Sequence, residues 1–374
     1  MTSSHGGRRW LALAGAVSSY TWDLFADISQ RFGITVDTFH RPPPPSRIRS
    51  SFAHESFRSE STRPGYDWSR LGRHELVQKM DVPSADAVLV LGTLPKVAIV
   101  EALRRKSRDC PVVFMADTNI ADIFPREFRS WARMLAYRSF AGFVTEAWTL
   151  GLSNEHAFRL LGFRRFRALP FYSVTFRELG APRVQPASIS PGPFKLLTIA
   201  RLAPEKNLQA LVRAVSGPDL PGQVELTLVG EGAARSNIEA LIRTLPQGAV
   251  RLTGAVPHHD LGPYLQSAHA LVIPSLVEPW GNVVTEALGM GIPVLATPAV
   301  GAATSLAGLY GGIRISESVD ERGIHLGLRS LMTEYSSLAS AAVGGAARIR
   351  AAFDVQSVAQ QAVDAIGHLR SGQS

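Results

Sequence analysis

Residues 278–294 read Glu278-Pro-Trp-Gly-Asn-Val-Val-Thr-Glu286-Ala-Leu-Gly-Met-Gly-Ile-Pro-Val294. One short apolar run, Ala270–Pro274, precedes this stretch, and another, Pro293–Ala296, closes it. Each has the length and composition of a buried strand, while Val283–Met290 carries helical periodicity. Strand, glycine-bearing loop, helix and strand in that order form the repeating unit of a parallel sheet.

The same alternation extends outward from there. Upstream, Leu196–Ala200, Val224–Val229 and Val250–Leu252 read as strands, separated by helical patterns at Lys206–Val215, Ala234–Leu245 and Leu261–Gln266. In the first half, strands are expected at Trp10–Ala16, Ile34–Phe39, Ala87–Leu91, Val112–Met115 and Gly142–Thr145. The fold class is therefore α/β, with two Rossmann-like parallel-sheet domains. A chain of 374 residues exceeds one comfortable core, which agrees with two. Pro42 to Asp67, rich in Pro, Ser and Arg, reads as a long excursion, and the proline-rich Gly180 to Pro193 as the linker. The expected division is 1–184, 185–352 and a C-terminal segment 353–374, whose amphipathic Val355–Leu369 crosses back to the first domain.

Three strand-to-helix junctions carry the chemistry, and in a parallel sheet all such junctions lie on one edge. The first is Thr198-Ile-Ala-Arg-Leu-Ala-Pro-Glu-Lys206, where Arg201 and Lys206 flank a proline turn just before a helix. Two cations beside free backbone amides suit a diphosphate, although a solvated pair of charges would read the same way. The second is Leu228-Val-Gly-Glu-Gly232. Its glycines let the backbone approach a ligand closely, and Gly230 and Glu231 are candidate donor contacts. Neither half carries the G-x-G-x-x-G fingerprint, which argues against a nicotinamide dehydrogenase. The third is the stretch quoted first. Glu278 lies in the loop, Gly281 and Asn282 open the helix, and Glu286 follows more than one turn in. The helix start offers amides to phosphate oxygens, and the missing Gly281 side chain permits contact. One carboxylate can accept from sugar hydroxyls and the other from a ribose diol. A carboxylate pair also suits a glycoside hydrolase, but the glycines and the Arg/Lys pair favour phosphate recognition.

At these residues the chain resembles the retaining GT-B glycosyltransferases of family four, the group with the E-x7-E motif. The resemblance runs through residues 194–300 in order and spacing, and the E-P-W-G-N-V-V-T-E-A string carries most of it. It implies two Rossmann-like domains facing a central cleft. It also implies that Arg201 and Lys206 bind the donor diphosphate, Glu286 the ribose, and Glu278 the donor sugar. Backbone groups of Gly281, Asn282 and Val283 would lie against the phosphates, with no metal and no cofactor beyond the nucleotide diphosphate sugar. The reaction so implied transfers a hexose-type sugar from a UDP- or GDP-sugar, with retention, to a glycan, glycolipid or small molecule. Relatives place a His or Asp after a middle strand of the first domain; Asp117 is the candidate here, and capping of the next helix is its other reading. Ala14-Gly-Ala-Val-Ser-Ser-Tyr20 has one glycine where relatives have a glycine-rich loop, and Pro170-Phe-Tyr-Ser-Val-Thr175 lacks their aspartate. A phosphorylase, an epimerase or a non-catalytic sugar-nucleotide-binding protein would keep the same fold.

Charge is divided between the halves. Residues 1–184 hold 26 Lys/Arg against 17 Asp/Glu, and residues 185–374 hold 13 against 14. The basic excess belongs to the first half and suits an anionic partner such as a membrane surface or a lipid-linked acceptor. From Arg126 to Arg138, Arg126, Arg129 and Arg133 form one helical stripe, with Phe128, Trp131 and Leu135 on another. That helix suits an anionic membrane, or equally a core that buries its aromatics. No basic motif with interleaved aromatics points to nucleic acid. The single cysteine, Cys110, excludes an internal disulfide framework and agrees with a cytoplasmic protein. No apolar run approaches the roughly 20 residues needed to span a bilayer. Trp10–Val17, behind Arg8-Arg9, reads as a buried strand rather than a signal peptide.

Overall fold

The computed structural model describes residues 8–14, 19–40, 66–67, 73–92, 103, 109–116, 135, 137–189 and 192–372. These form two compact units. One gathers the described residues up to Ser173 together with those from Val355 onward; the other runs from Val174 to Asp354.

The first unit is a seven-stranded sheet in the order β3-β2-β1-β4-β5-β6-β7. Its strands are β1 (Arg9–Ala14), β2 (Thr35–His40), β3 (Tyr66–Asp67), β4 (Ala87–Leu91), β5 (Val112–Met115), β6 (Glu146–Thr149) and β7 (Phe166–Ala168). All neighbours pair in parallel, with Ala12 opposite Leu89 and Leu89 opposite Val113. Strands β4 and β5 are buried along their whole length, as central parallel strands covered on both faces must be. Helices α1 (Ser19–Phe32), α2 (Arg73–Met80) and α3 (Leu152–Leu160) belong to this unit. Phe114 is the centre of one core face, stacked on Phe163 with ring centroids 4.9 Å apart and met edge-on by Phe140.

The strand expected at Gly142–Thr145 begins instead at Glu146. The Phe143 and Val144 amides donate to the carbonyls of Phe140 and Ala141, so these residues complete a helical turn and cannot join a ladder. The charged Glu146 disguised the strand start. Its buried carboxylate is satisfied by Trp148 Nε1 at 2.9 Å and Arg167 Nε at 2.6 Å.

The second unit holds β8 (Phe194–Ile199), β9 (Val224–Val229), β10 (Val250–Gly254), β11 (Ala270–Ile273), β12 (Val294–Ala296) and β13 (Ile313–Ile315), in the order β10-β9-β8-β11-β12-β13. Its helices are α4 (Phe176–Leu179), α5 (Leu208–Ala214), α6 (Arg235–Ile242), α7 (Leu261–Ser267), α8 (Asn282–Gly289), α9 (Gly301–Leu306), α10 (Glu321–Thr333) and α11 (Tyr335–Phe353). The last helix, α12 (Val355–Ser371), returns to the first unit: Arg31 Nη1 donates to Gln356 O at 2.9 Å, and Arg370 pairs with Asp86 at 2.7 Å. The order of the second sheet is the doubly wound pattern, in which the direction of winding reverses between β8 and β11.

Two expectations change here. The helix read as Lys206–Val215 starts only at Leu208, because Asn207 adopts the left-handed conformation (φ 53°, ψ 31°). Its Nδ2 donates to Pro274 O at 3.1 Å and Val319 O at 2.7 Å, so the residue serves as a tie rather than a helical position. The segment read as a linker is anchored in the second unit. Arg183 Nη2 lies 2.7 Å from Gln266 O and 2.5 Å from Ala268 O, closing the C-terminal end of α7 where carbonyls lack helical partners.

Asp117, residues 15–18 of the Ala14–Tyr20 stretch, most of Arg126–Arg138 and nearly all of Pro42–Asp67 lie outside the described residues. Among the described residues no helix is long and apolar enough to cross a membrane.

Candidate functional site

The site grows from the reversal point of the second sheet. Strands β8 and β11 are neighbours, with Ala270 opposite Leu196, and the strands that follow them in sequence, β9 and β12, lie on opposite sides of the pair. Such a reversal point is where open α/β sheets receive ligands.

The loop after β8 carries Arg201 and Lys206. Leu202 is fully buried and anchors it. The Leu202 amide donates to Glu231 O at 2.9 Å, and Ala234 N donates back to Leu202 O at 2.9 Å. The loop after β9 thereby closes on the loop after β8, and glycine makes this possible. At Gly230 (φ 145°) an added Cβ would lie 1.9 Å from Ala200 O; at Gly232 it would lie 2.3 Å from Leu202 O. The Glu231 side chain turns to an ion pair with Arg235, which also holds Glu239 at 2.7 Å.

The loop after β11 is tied to both neighbours. Leu276 N donates to Glu205 O at 2.8 Å, joining it to the β8 loop. Glu278 N donates to Ala299 O at 3.2 Å and Glu278 O accepts from Gly301 N at 3.0 Å, a short parallel bridge to the segment after β12. Trp280 is buried and stacks on Phe353 at 6.1 Å, seating the turn that precedes α8. Gly281 caps α8 in the left-handed region (φ 94°, ψ 74°) and gives the first-turn amides no side-chain acceptor. The helix start at Asn282 and Val283 thus has the backbone amides that, in general, suit an anion. A Cβ on Gly281 would press to 3.0 Å from Glu278 Cγ.

The fold brings Lys206 and Glu278 into an ion pair, both less than a fifth exposed. Arg201, on the same loop, pairs with Glu205 at 2.6 Å and stays accessible. Glu286 occupies the second turn of α8 and has no exposed surface. It is met at 3.2 Å by His258 Nε2, whose Nδ1 lies 3.0 Å from Glu178 Oε2. Burial opposes the charge on His258, but the hydrogen bonds to Glu178 and Glu286 outweigh it and push the imidazole up to about 10. The hydrogen bond from His258 holds Glu178 below the usual carboxylate range. Neither His258 nor Glu178 stands out in the sequence. The available signal is the Pro257-His258-His259-Asp260 turn after β10, at the sheet edge that carries the other junctions.

Residues 193–323 match the family described as glycosyl transferases group 1. The lipopolysaccharide core biosynthesis glycosyltransferase LpsE of Rhizobium meliloti is 32% identical over 143 residues, covering 38% of this chain and 40% of that protein. Glycogen synthase of Mycobacterium tuberculosis is 30% identical over 173 residues, covering 45% of this chain and 41% of that protein. The chain thus matches less than half the length of these curated relatives. Among solved structures, Anabaena HepE in complex with UDP-glucose superposes with a TM-score of 0.69 at 18% identity, covering 96% of this chain and 99% of that one. The chain therefore has the GT-B fold, and its second unit carries a domain of the group 1 glycosyl transferase family.

Proposed function

We propose that this chain is a glycosyltransferase that moves a hexose-type sugar, with retention, from a UDP- or GDP-sugar to a glycan, glycolipid or small-molecule acceptor. The observation that carries this reading is the junction of Lys206, Glu278 and the Gly281 start of α8 at the reversal point of the sheet. The α8 first-turn amides, with Lys206 and Arg201, receive the diphosphate and stabilise the charge that grows as the nucleoside diphosphate departs. An ammonium has three donors, so Lys206 holds a phosphate oxygen and Glu278 together. Glu278 accepts from the donor sugar hydroxyls, and Glu286 from the ribose diol. Gly230 and Glu231 line the same edge through their backbone. The acceptor oxygen attacks the anomeric carbon on the face from which the diphosphate leaves. As the bond to the diphosphate oxygen breaks, that oxygen takes the acceptor proton. On the acceptor side Asp117, which follows β5 in sequence, is the acidic residue assigned.

The neighbour HepE is described with UDP-glucose, which supports a nucleotide sugar as donor. The name of LpsE supports an acceptor in cell-surface polysaccharide synthesis. The basic balance of residues 1–184 supports an anionic acceptor or a peripheral contact with the inner face of an anionic membrane. A thermal-shift screen of UDP, GDP and ADP and their hexose conjugates tests the donor, since a bound ligand raises stability by mass action. Transfer assays with the stabilising sugar nucleotide follow, with acceptor omitted and with inorganic phosphate as controls. If no sugar nucleotide shifts the melt, the reading is wrong.

A further inference from the structure

We propose that His258 is a positioning residue of the donor site, an imidazolium bracketed by Glu178 and Glu286 that holds the Glu286 carboxylate fixed for the hydroxyls it receives. The proposal rests on the donor reading above for the identity of the ligand, and on geometry alone for the bracket.

The geometry decides the charge. His258 Nδ1 lies 3.0 Å from Glu178 Oε2, and Nε2 lies 3.2 Å from Glu286 Oε1. Ionised carboxylates only accept hydrogen bonds, and a neutral imidazole has one N–H and one lone pair. A neutral His258 would aim that lone pair at one of the two carboxylates. Only the imidazolium donates to both. Glu286, in turn, has no exposed surface, so the His258 Nε2 donor at its Oε1 helps set where the carboxylate points. A carboxylate turned by that hydrogen bond keeps its remaining lone pairs for a diol, which needs acceptors.

The bracket is built rather than incidental, because two glycines bring its three elements together. A Cβ on Gly289 of α8 would lie 2.1 Å from Phe176 Cε1, and one on Gly262 of α7 would lie 2.5 Å from Leu179 O. Short α4 therefore nests against both helices and carries Glu178 to the 258–260 turn. Arg350 covers the outer face of the Phe176 ring at 4.7 Å and donates to Gly180 O at 3.2 Å, fixing α4 from behind. Among the described residues, the charged and titratable groups that bear on the His258–Glu178 pair are Glu178 and Arg177 of α4, Glu286 of α8, and His259 of the turn, which pairs with Asp260 at 3.7 Å.

Two measurements on the full chain test this. In protein labelled with [13C]histidine, the His258 resonance is identified by its loss in His258→Gln and followed with pH. It is expected to stay protonated through neutrality, and Glu178→Gln is expected to lower its midpoint. A His258 midpoint at the ordinary value of about 6.5 overturns the proposal whatever the ligand. Calorimetry with UDP, GDP and ADP between pH 6 and 9 gives the second readout. Wild-type affinity is expected to follow only the titration of the nucleotide's own terminal phosphate, at about pH 6. His258→Gln is expected to bind about tenfold or more weakly across that range, because the charged donor that orients Glu286 is lost. Glu178→Gln should be intermediate, and as the more exposed substitution it keeps the test available should His258→Gln melt early. A His258→Gln chain that binds like wild type at every pH overturns the positioning role and leaves the donor reading standing. If wild type binds none of the three nucleotides, the donor reading fails and the histidine titration alone decides the bracket.

Discussion

Lys206 and Glu278 form an ion pair that joins the loop after β8 to the loop after β11, both side chains less than a fifth exposed. In the proposed reading the carboxylate meets the donor sugar and the ammonium meets the diphosphate. Removing either partner leaves the other desolvated and unmatched. Lys206→Ala is expected to weaken nucleoside diphosphate binding about 10- to 100-fold, the range for losing a charge-assisted hydrogen bond. Glu278→Gln should keep that affinity within a few-fold and lower transfer instead, because its proposed contact is with the sugar. Calorimetry alongside initial rates separates the two. Unchanged affinity and turnover in Lys206→Ala would remove the diphosphate assignment.

Gly230 carries the closure of the β9 loop on the β8 loop. With a φ of 145° and an added Cβ placed 1.9 Å from Ala200 O, Gly230→Ala must displace backbone rather than a side-chain tip. A cost of at least about 2 kcal/mol is expected, lowering the melting temperature by about 4–8 °C for a unit of this size. Gly248 is the control: its φ is 87°, but a Cβ there meets nothing within 4 Å. Gly248→Ala should cost only the strain of the left-handed backbone, about 1–2 kcal/mol. Equal melting temperatures for the two variants would show that the contact with Ala200 does not matter.

The parallel sheets were legible because their central strands are continuous apolar runs. Ala87–Leu91 and Val112–Met115 have the same bounds in sequence and structure. Strands with other burial were not legible. Phe166–Ala168 is an edge strand of intermediate burial, and Glu146–Thr149 opens on a carboxylate whose partner comes from that edge. Asn207 looked helical because its ties, Pro274 O and Val319 O, are remote in sequence. The site divides the same way. Arg201, Lys206, Glu278, Gly281 and Glu286 are visible as junction residues of one sheet edge, since the doubly wound order dictates which edges meet. Glu178 and His258 were invisible, because nothing local shows that α4 packs against α8. That contact depends on Gly289 lacking a side chain opposite Phe176.

The charge on His258 makes stability depend on pH. Hydrogen bonds to Glu178 and Glu286 outweigh burial and raise its folded value to about 10, above an ordinary value of about 6.5. The folded chain thus holds a proton that the unfolded chain releases in this interval, and proton binding favours the fold. The contribution is fully present below about 6.5 and declines as pH rises through about 10. Melting temperatures of wild type and His258→Gln should therefore differ most at pH 6 and converge towards pH 10. Taking the difference between the two cancels the other groups that titrate in that interval. A gap that is constant with pH would mean that His258 contributes packing and no charge.

Gly301 offers a test of how closely Glu278 must be held. Its amide donates to Glu278 O at 3.0 Å, and an added Cβ would lie 2.0 Å from Pro279 O. Gly301→Ala therefore pushes the 278–280 segment off the loop after β12 without touching either charge. The β8 loop keeps its own anchors, the buried Leu202 and the Asn207 ties, so Arg201 and Lys206 stay in place. Nucleoside diphosphate affinity should then fall less than about tenfold. Transfer should fall about 100-fold, the usual consequence of displacing a reacting or positioning group by about 1 Å. A melting curve guards against the trivial outcome, since general unfolding would lower both quantities together. Transfer at the wild-type rate with an intact fold would mean that the position of Glu278 does not limit the reaction, and that its ion pair with Lys206 serves the loops alone.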